Sequence, residues 1–427
     1  MNEPIFIARQ DTLEQEILPA HWLAQYKLFG EESYTFQDKG IWKKLCMSSA
    51  AANDRDIHAE ALEEMLTTFS AEHTGKWMLL VYGTNAAALE GLATMAAIAA
   101  NGTAMGAIVD NALLMHAIAN SETAMQRIAN SQTAMQRVAN NRGAMDAIGR
   151  SRIARDAVQA SPYYNSCIKE NDMAIAKLAV ALANLESAGY SGMAGVAADS
   201  TAMTAVAASA TAMTAVAASS VARNAISASP YYDEKIKEND MAIAKLVVGF
   251  ANLASANYSS MAGVVADATA MTAVAASSTA MTAVAASGVA LKAIAQAYKN
   301  TANMLQFLKA VNASDTLIKR IYNTLTNATA LFGASQLGAQ DGVADANSWA
   351  TTSAAPNAFL ACACGYYNSG GANVDVTYNG TAIAQNKTGT RQPGSVTSTN
   401  VNAITMAPST FTENGDGWLA VQKFTVK

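Results

Sequence analysis

Two cysteines in a Cys-x-Cys spacing, Cys362 and Cys364, are the residues of this chain with the clearest potential for metal chemistry. In an extended strand, side chains two positions apart point to the same face, and such a pair can hold a metal across the chains of an oligomer. The surrounding segment is apolar, and free cysteine usually behaves as a small hydrophobic residue. We therefore interpret both cysteines as buried side chains and expect no metal site.

The acidic residues and the histidines form no complete site. Oxygen ligands occur in Asp341–Asn347 and in Asn414–Gly417, but neither segment has the full spacing of a calcium loop, and turn formation explains both. His58 and Glu60 match part of a zinc-deaminase signature that lacks its Pro-Cys-x-x-Cys half. Gly75-Lys76-Trp77 lacks the residues that flank a phosphate-binding loop. Without a nucleophile beside a base or a pair of acids, we expect neither an enzyme nor a bound cofactor.

The composition limits the function classes that the chain can belong to. Of 427 residues, 51% are hydrophobic and 14% are charged, and the formal net charge is −5. Since phosphate neutralisation needs grouped Lys and Arg, nucleic-acid binding is not expected. Apolar runs are interrupted every few residues, and the first residues lack a basic stretch before an apolar one. We therefore expect no membrane insertion, no signal peptide and synthesis in the cytosol.

The centre of the chain repeats every ten residues. A methionine recurs from Met95 to Met145, and an aliphatic residue follows each methionine after three positions. Ten residues fall roughly 80° short of three helical turns, so the apolar stripe of one continuous helix would rotate around its axis. We predict short helices that begin and end at Ser, Thr or Asn and stack on one another. The predicted repeat core consists of Met105, Ile108, Met115, Ile118, Met125, Ile128, Met135, Val138, Met203, Val206, Met213, Val216, Met271, Val274, Met281 and Val284.

A longer repeat overlies the decads. The segment Ser161–Ala181 returns 68 residues later as Ser229–Gly249, and further decads follow each copy. Pro162 and Pro230 stand at equivalent positions, and we expect each to open a longer helix, because the first helical position tolerates the missing N–H of proline. Near-identical copies suit a spacer better than a precise active site.

The composition changes near residue 334, where Gly, Ser, Asn and Thr become frequent. Val374–Tyr378 alternates between apolar and polar residues, Asn379-Gly380 is a two-residue hairpin turn, and residues 418–426 are strand-like. These signals predict a small β domain, and binding residues are often found on loops. The candidate contacts for a saccharide or another surface are Tyr366, Tyr367 and Asn368.

Together these patterns predict a mainly α protein, a helical solenoid-like stack of short decad helices with an α-rich N-terminal head and a small C-terminal β domain. The expected segments are an attachment head (1–90), decad helical repeats (91–160), a first module (161–228), a second module (229–298), an amphipathic helical cap or oligomerisation segment (299–335), a linker (336–355) and the β domain (356–427).

Four decads read TAMTAVAAS, namely Thr201–Ser209, Thr211–Ser219, Thr269–Ser277 and Thr279–Ser287, and a Gly/Asn-rich tip surrounds Asn373–Ala384. A head, a repetitive Ala-rich shaft and a β tip resemble the fibre or whisker proteins of tailed bacteriophages. The resemblance implies a homo-oligomer, usually a homotrimer, within the virion. It also implies that the N-terminal region binds other virion proteins and that the tip meets a host-surface receptor or glycan.

We therefore expect a structural protein of a phage virion, a tail or collar fibre or whisker. One alternative is a capsid or tail decoration or scaffold protein that is anchored through its β domain. Another is a bacterial surface adhesin, against which the missing secretion signal counts. A depolymerase is the most distant alternative, because the β domain has no acidic pair at a glycosidase spacing.

Overall fold

The computed structural model describes residues 87–341, 347–351, 357–366, 372–391, 395–415 and 417–427, together with scattered positions between 59 and 79. The expected head at 1–90 thus lies almost entirely outside the described residues. The described chain is mainly helical, with a C-terminal β region of two sheets, which confirms the predicted fold class at that level. The chain divides into two compact units, Met1–Ala205 and Val206–Lys427, and each is described by itself.

Short helices follow one another through the first unit. Most helices built from decads have eight or nine residues, and one or two polar residues separate neighbouring decad helices from α2 to α8. The helices are α1 (Ala87–Glu90), α2 (Met95–Ala100), α3 (Gly102–Asp110), α4 (Ala112–Ala119), α5 (Glu122–Ala129), α6 (Gln132–Ala139), α7 (Arg142–Arg150), α8 (Arg152–Ala160), α9 (Tyr164–Cys167), α10 (Asp172–Leu182), α11 (Met193–Ala197) and α12 (Ser200–Ala208), which contains the boundary between the units.

Polar side chains at the corners, the one- or two-residue turns between successive helices, explain where the helices begin. Oγ of Ser131 accepts a hydrogen bond from the N–H of Ala134, and Asn111, Asn141 and Ser151 cap their helices in the same way. Each cap satisfies an N–H that has no partner within the first helical turn. At the Asn111 corner the chain bends by 103° between α3 and α4. The decads therefore form short capped helices, as their spacing predicts.

The apolar face of each decad helix is buried against other helices. In the first unit α2 packs against α5, α3 against α6, α4 against α7, and α5 against α8. A helix of two turns is not stable alone, so this packing supplies most of its stability. All sixteen predicted core residues, from Met105 to Val284, are buried, with at most 1% of each exposed.

The proline that begins the first module does not begin its longer helix. Pro162 lies in a turn before the single helical turn α9, and α10 begins at Asp172, after the Asn171 cap. The expectation that proline opens the longer helix is therefore wrong. The physical reason is that Oδ1 of Asn171 accepts from the N–H of Ala174, which starts a new helix ten positions further along.

The second unit continues with helices of the same kind. They are α13 (Ala210–Ala218), α14 (Ser220–Ser227), a π-helix (Asp233–Lys237), α15 (Asp240–Phe250), α16 (Met261–Ala266), α17 (Ala268–Ala276), α18 (Ser278–Ala286), α19 (Gly288–Gln296), α20 (Thr301–Asn312) and α21 (Asp315–Asn327). Here α15 packs against α18, α16 against α19, α17 against α20, and α18 against α21. The chain bends by 101° between α17 and α18.

Two sheets, antiparallel except for one short strand pair, complete the second unit. The strands are β1 (Phe332–Asp341), β2 (Asn347–Thr351), β3 (Ala358–Tyr366), β4 (Ala372–Tyr378), β5 (Thr381–Thr388), β6 (Thr390–Arg391), β7 (Ala403–Met406), β8 (Ser409–Gly415) and β9 (Gly417–Val426). One sheet has the order β1-β9-β3-β6, with β7 also paired to β3, and the short β3–β6 pair is parallel; the other has the order β2-β8-β4-β5. Asn379 and Gly380 join β4 to β5 with φ values of 48° and 74°, which confirms the predicted hairpin turn.

The segment expected to be a linker contains strands. β1 begins at Phe332, five residues after α21 ends, and pairs with β9 as far as Asp341, while β2 pairs with β8. Gly- and Ser-rich composition suggests a linker, but strand formation depends on the neighbouring strand more than on intrinsic preference. The β region therefore starts earlier than residue 356 and follows the last helix directly.

The β region packs on the final helices of its unit. The rings of Phe307 in α20 and Phe359 in β3 lie 6.4 Å apart, and those of Tyr322 in α21 and Phe424 in β9 lie 5.7 Å apart, edge to face. Asn312 donates to the carbonyl of Ile404 at 2.7 Å and accepts from its N–H at 3.0 Å. One hydrophobic core thus runs from the helices into both sheets.

Candidate functional site

The structure describes one of the three candidate surface-binding residues. Tyr366 is the last residue of β3, where it pairs with Gly417 of β9 and Arg391 of β6, and it is half-buried. Tyr367 and Asn368 lie outside the described residues. The aromatic and amide cluster therefore stays a prediction.

Cys362 and Cys364 are central in β3. Both are fully buried free thiols, and burial raises the pKa of Cys362 well above its ordinary value. Sγ of Cys364 lies 3.5 Å from the carbonyl oxygen of Lys387. Within the described ranges no group of three or more His, Cys, Asp or Glu residues could hold a metal ion. Both cysteines are packed as apolar side chains, the interpretation that their sequence context favours.

The structure describes only part of the other segments that the sequence suggested for metal or catalytic chemistry. Asp341 ends β1 and Asn347 begins β2, and the residues between them lie outside the described ranges, as does His58. His116 lies in α4, where its Nε2 is 3.1 Å from the side-chain nitrogen of Asn120. In the described part of the chain no single helix is long and apolar enough to cross a membrane, although three sharply bent helix pairs reach that length and composition together.

Two buried lysines are the chemically distinctive residues that the sequence analysis missed. Lys177 in α10 and Lys245 in α15 stand 68 positions apart, and their exposed fractions are 0% and 2%. A buried ammonium group loses its hydration, so it needs compensating acceptors. A signal was present, because each lysine stands in the middle of an apolar run, Ile-Ala-Lys-Leu.

In the first unit, Lys177 is neutralised by a carboxylate. Its Nζ donates to Oδ1 of Asp146 in α7 and, at 3.0 Å, to the carbonyl oxygen of Ser187. Oγ of Ser187 donates to the same Asp146 oxygen at 3.0 Å. Asp146 is itself mostly buried, so the ion pair and its hydrogen bonds form a closed polar cluster.

In the second unit, the equivalent cluster has no carboxylate. Nζ of Lys245 donates to the carbonyl oxygens of Ser255 and Ala256 at 2.9 and 3.2 Å. Thr214 in α13 stands where Asp146 stands in the first unit, 31 positions before the lysine, and its hydroxyl donates to Ala210 within its own helix. Among the described residues no ion pair includes Lys245, and Oγ of Ser255 has no hydrogen-bond partner. Burial lowers the pKa of Lys245.

The loop after each longer helix is closed by a tyrosine and an aspartate. The hydroxyl of Tyr190 donates to Oδ2 of Asp199 at 2.8 Å, and Tyr258 donates to Asp267 at 2.7 Å. The other oxygen of each aspartate caps the next helix. These bonds lower the pKa of both aspartates, and desolvation followed by the Asp199 contact raises the pKa of Tyr190 to about 12.

Serine hydroxyls connect corners that are three helices apart. Ser131 caps α6 and also donates to the carbonyl oxygen of Ala99 at 2.6 Å, and Ser151 donates in the same way to Ala119 at 2.6 Å. Ser161 repeats the bond to Ala129. Because a hydroxyl can accept and donate at once, one side chain begins a helix and also ties it to an earlier one.

An open groove of about 590 Å³ lies between α5 and α8. Glu122, Arg152 and Asp156 line it with both signs of charge, and Ile153 beside them is 40% exposed. The groove has mixed chemistry and offers a contact surface without a converging set of reactive groups.

A scan of this chain against protein-family models finds no match, and a search of curated proteins finds none. What the protein does must therefore be inferred from its residues and their contacts.

Proposed function

We propose that this protein is a structural protein of a phage virion, a tail or collar fibre or whisker. Its helices would form a solenoid that spaces the C-terminal β region from an N-terminal attachment segment. The supporting observation is the packing of helices against the third helix after them within each unit, as in α2 to α5 and in α15 to α18. In the first unit, serine hydroxyls also donate to carbonyl oxygens 32 positions earlier in the chain.

The polar residues of the repeats support a spacer. Cap residues are used to begin helices and to join corners, and the Tyr–Asp pairs close loops. The methionine column fills the core between helices. A spacer needs this kind of serial, self-satisfied packing, because each new repeat adds length and covers the apolar face of its neighbour.

The β region supports a role as an end cap. An open stack would leave the apolar faces of its last helices in water, and repeat proteins cover such ends with a distinct terminal element. Here α20 and α21 are covered by β5 and β7, and the hydroxyl of Tyr322 donates to the carbonyl oxygen of Val396 at 2.7 Å. We propose in addition that this β region contacts the host surface.

The spacer proposal predicts a fixed increment of length. A module contributes six helices, which at three helices per turn makes two turns. Packed helices lie about 8–10 Å apart, so one additional 68-residue module should lengthen the solenoid by roughly 16–20 Å. Electron microscopy of the full chain with and without an inserted third module measures this increment. An inserted 68-residue Gly/Ser segment is the matched control and should add no fixed length.

Location tests the virion assignment. Particles purified from the source of this chain should contain it, and gold-labelled antibodies against residues 1–90 and 372–427 should mark its attached and free ends. Absence of the chain from the particles would contradict the proposal.

A decoration or scaffold protein anchored through the β region is the second candidate. The observation that favours it is the direct continuation of α21 into β1, without the linker that a separate receptor-binding tip would tolerate. In that case the antibody against 372–427 would bind disrupted particles alone, whereas the antibody against 1–90 would bind intact ones.

A further inference from the structure

Lys245 and Ser255 are two buried hydrogen-bond donors. In the equivalent cluster of the first unit, a carboxylate accepts from both donors. In the first unit, one oxygen of Asp146 accepts from both Lys177 and Ser187. In the second unit, Thr214 replaces the aspartate, and its hydroxyl is bonded to its own helix. The protein keeps both donors and changes the acceptor.

The retained donors are strongly buried. Lys245 is 2% exposed and Ser255 is 4% exposed, and Oγ of Ser255 has no partner among the described residues. An unsatisfied buried hydroxyl destabilises the folded state, and a buried ammonium group without a counter-charge destabilises it more. Two carbonyl oxygens orient the ammonium group of Lys245 but do not neutralise it.

We propose that Lys245 and Ser255 bind a small monovalent anion of the halide class, chloride. The anion takes the position that the carboxylate oxygen of Asp146 has in the first unit. The anion accepts one hydrogen bond from the ammonium group and one from the hydroxyl, which reproduces the two bonds that Asp146 accepts.

The charges around the two donors favour an anion of single charge. Thr214 brings no negative charge where the first unit has Asp146, and its hydroxyl donates within its own helix. The site has one positive charge, and no described ion pair involves Lys245, so one negative charge balances it. Multiply charged anions would bring an uncompensated charge into a buried cluster.

Chloride dependence of stability tests the proposal. For the full chain, the urea midpoint of unfolding should rise and saturate as chloride replaces gluconate at constant ionic strength, since a ligand that binds the folded state stabilises it. Thr214→Asp supplies the carboxylate internally and should abolish the dependence. Asp146→Thr removes the carboxylate from the Lys177 cluster, as in the Lys245 cluster, and should increase the chloride dependence of the midpoint.

Bromide gives a direct measurement that does not depend on any variant folding. A crystal of the wild-type chain in bromide should show an anomalous peak within hydrogen-bond distance of Nζ of Lys245 and Oγ of Ser255, and none beside Lys177. A wild-type midpoint that ignores chloride, an equal dependence in Thr214→Asp, or no peak beside Lys245 would each overturn the proposal.

Discussion

Lys177 and Lys245 stand at the same position of two nearly identical modules, yet a carboxylate neutralises the first, and among the described residues none neutralises the second. The two helices that carry them, α10 and α15, have the same length and the same asparagine cap. The difference comes from outside the repeated segment, because the residue 31 positions before each lysine belongs to the preceding decads, Asp146 in one case and Thr214 in the other. A duplicated sequence therefore acquires different chemistry from its neighbours.

A second difference between these helix pairs concerns glycine. In the first pair Gly149 in α7 faces Ala181 in α10, and in the second pair Ala217 in α13 faces Gly249 in α15. A Cβ on Gly249 would overlap the carbonyl oxygen of Ala217. Each close approach thus needs one glycine, but the glycine stands on opposite partners in the two pairs.

The largest expected effect is the loss of the buried carboxylate. Asp146→Thr leaves the ammonium group of Lys177 buried without a counter-charge and should lower the free energy of unfolding by about 3–5 kcal/mol. Urea unfolding measures this change. The reciprocal change, Thr214→Asp, should raise stability in chloride-free buffer. If Asp146→Thr left the free energy of unfolding unchanged, the carboxylate beside Lys177 would not contribute to stability, and the difference between the two lysines would not matter for it.

The next effect should be equal in the two modules. Met203→Ala and Met271→Ala each remove a core side chain that is at most 1% exposed, at an expected cost of about 2–5 kcal/mol. Both methionines stand at the same position of identical TAMTAVAAS decads, so we expect the two costs to agree within about 0.5 kcal/mol. Unequal costs would mean that the modules differ beyond their lysine clusters.

Steric contact at the close helix pair should give a smaller change. Gly249→Ala should cost about 1–3 kcal/mol, because the helices must move apart to admit a methyl group. Gly106→Ala is the control: it adds the same methyl group to α3, where no atom lies within 4 Å, and should stabilise the chain by about 0.5–1 kcal/mol. A stabilising Gly249→Ala would contradict the steric account.

The smallest effect concerns acid. The N–H of Ala202 and the hydroxyl of Tyr190 hold the pKa of Asp199 below its ordinary 3.8, and Tyr258 and Ala270 do the same for Asp267. Because the folded pKa is the lower one, this stabilisation is present above about pH 3.8 and is lost as the pH falls through the folded value. Urea unfolding measured from about pH 2 to pH 6 gives the stability of the chain as a function of pH. Asp199→Asn and Asp267→Asn should each reduce, by the same amount, the loss of stability as the pH falls. An unchanged loss would show that these pairs do not contribute to acid unfolding.

Local signals explain what could be predicted from the residues. The ten-residue period requires a break, and Ser131 or Asn141 supplies the cap that makes it, so short helices follow without knowledge of the fold. Asn379-Gly380 similarly specifies its hairpin, because both residues tolerate positive φ. The start of α10 was missed, since Asn171 competes with Pro162 as a start signal and the stronger local cap prevails.

The sequence by itself determined the decad helices, the turns between them and the column of apolar residues that must be buried. Only the tertiary structure decided which residue faces each lysine and that β1 pairs with β9, because both depend on partners 31 or more positions away. Periodicity describes one helix at a time, whereas the ion pair of Lys177 and the bonds of Lys245 to two carbonyl oxygens form where separate segments of the chain meet.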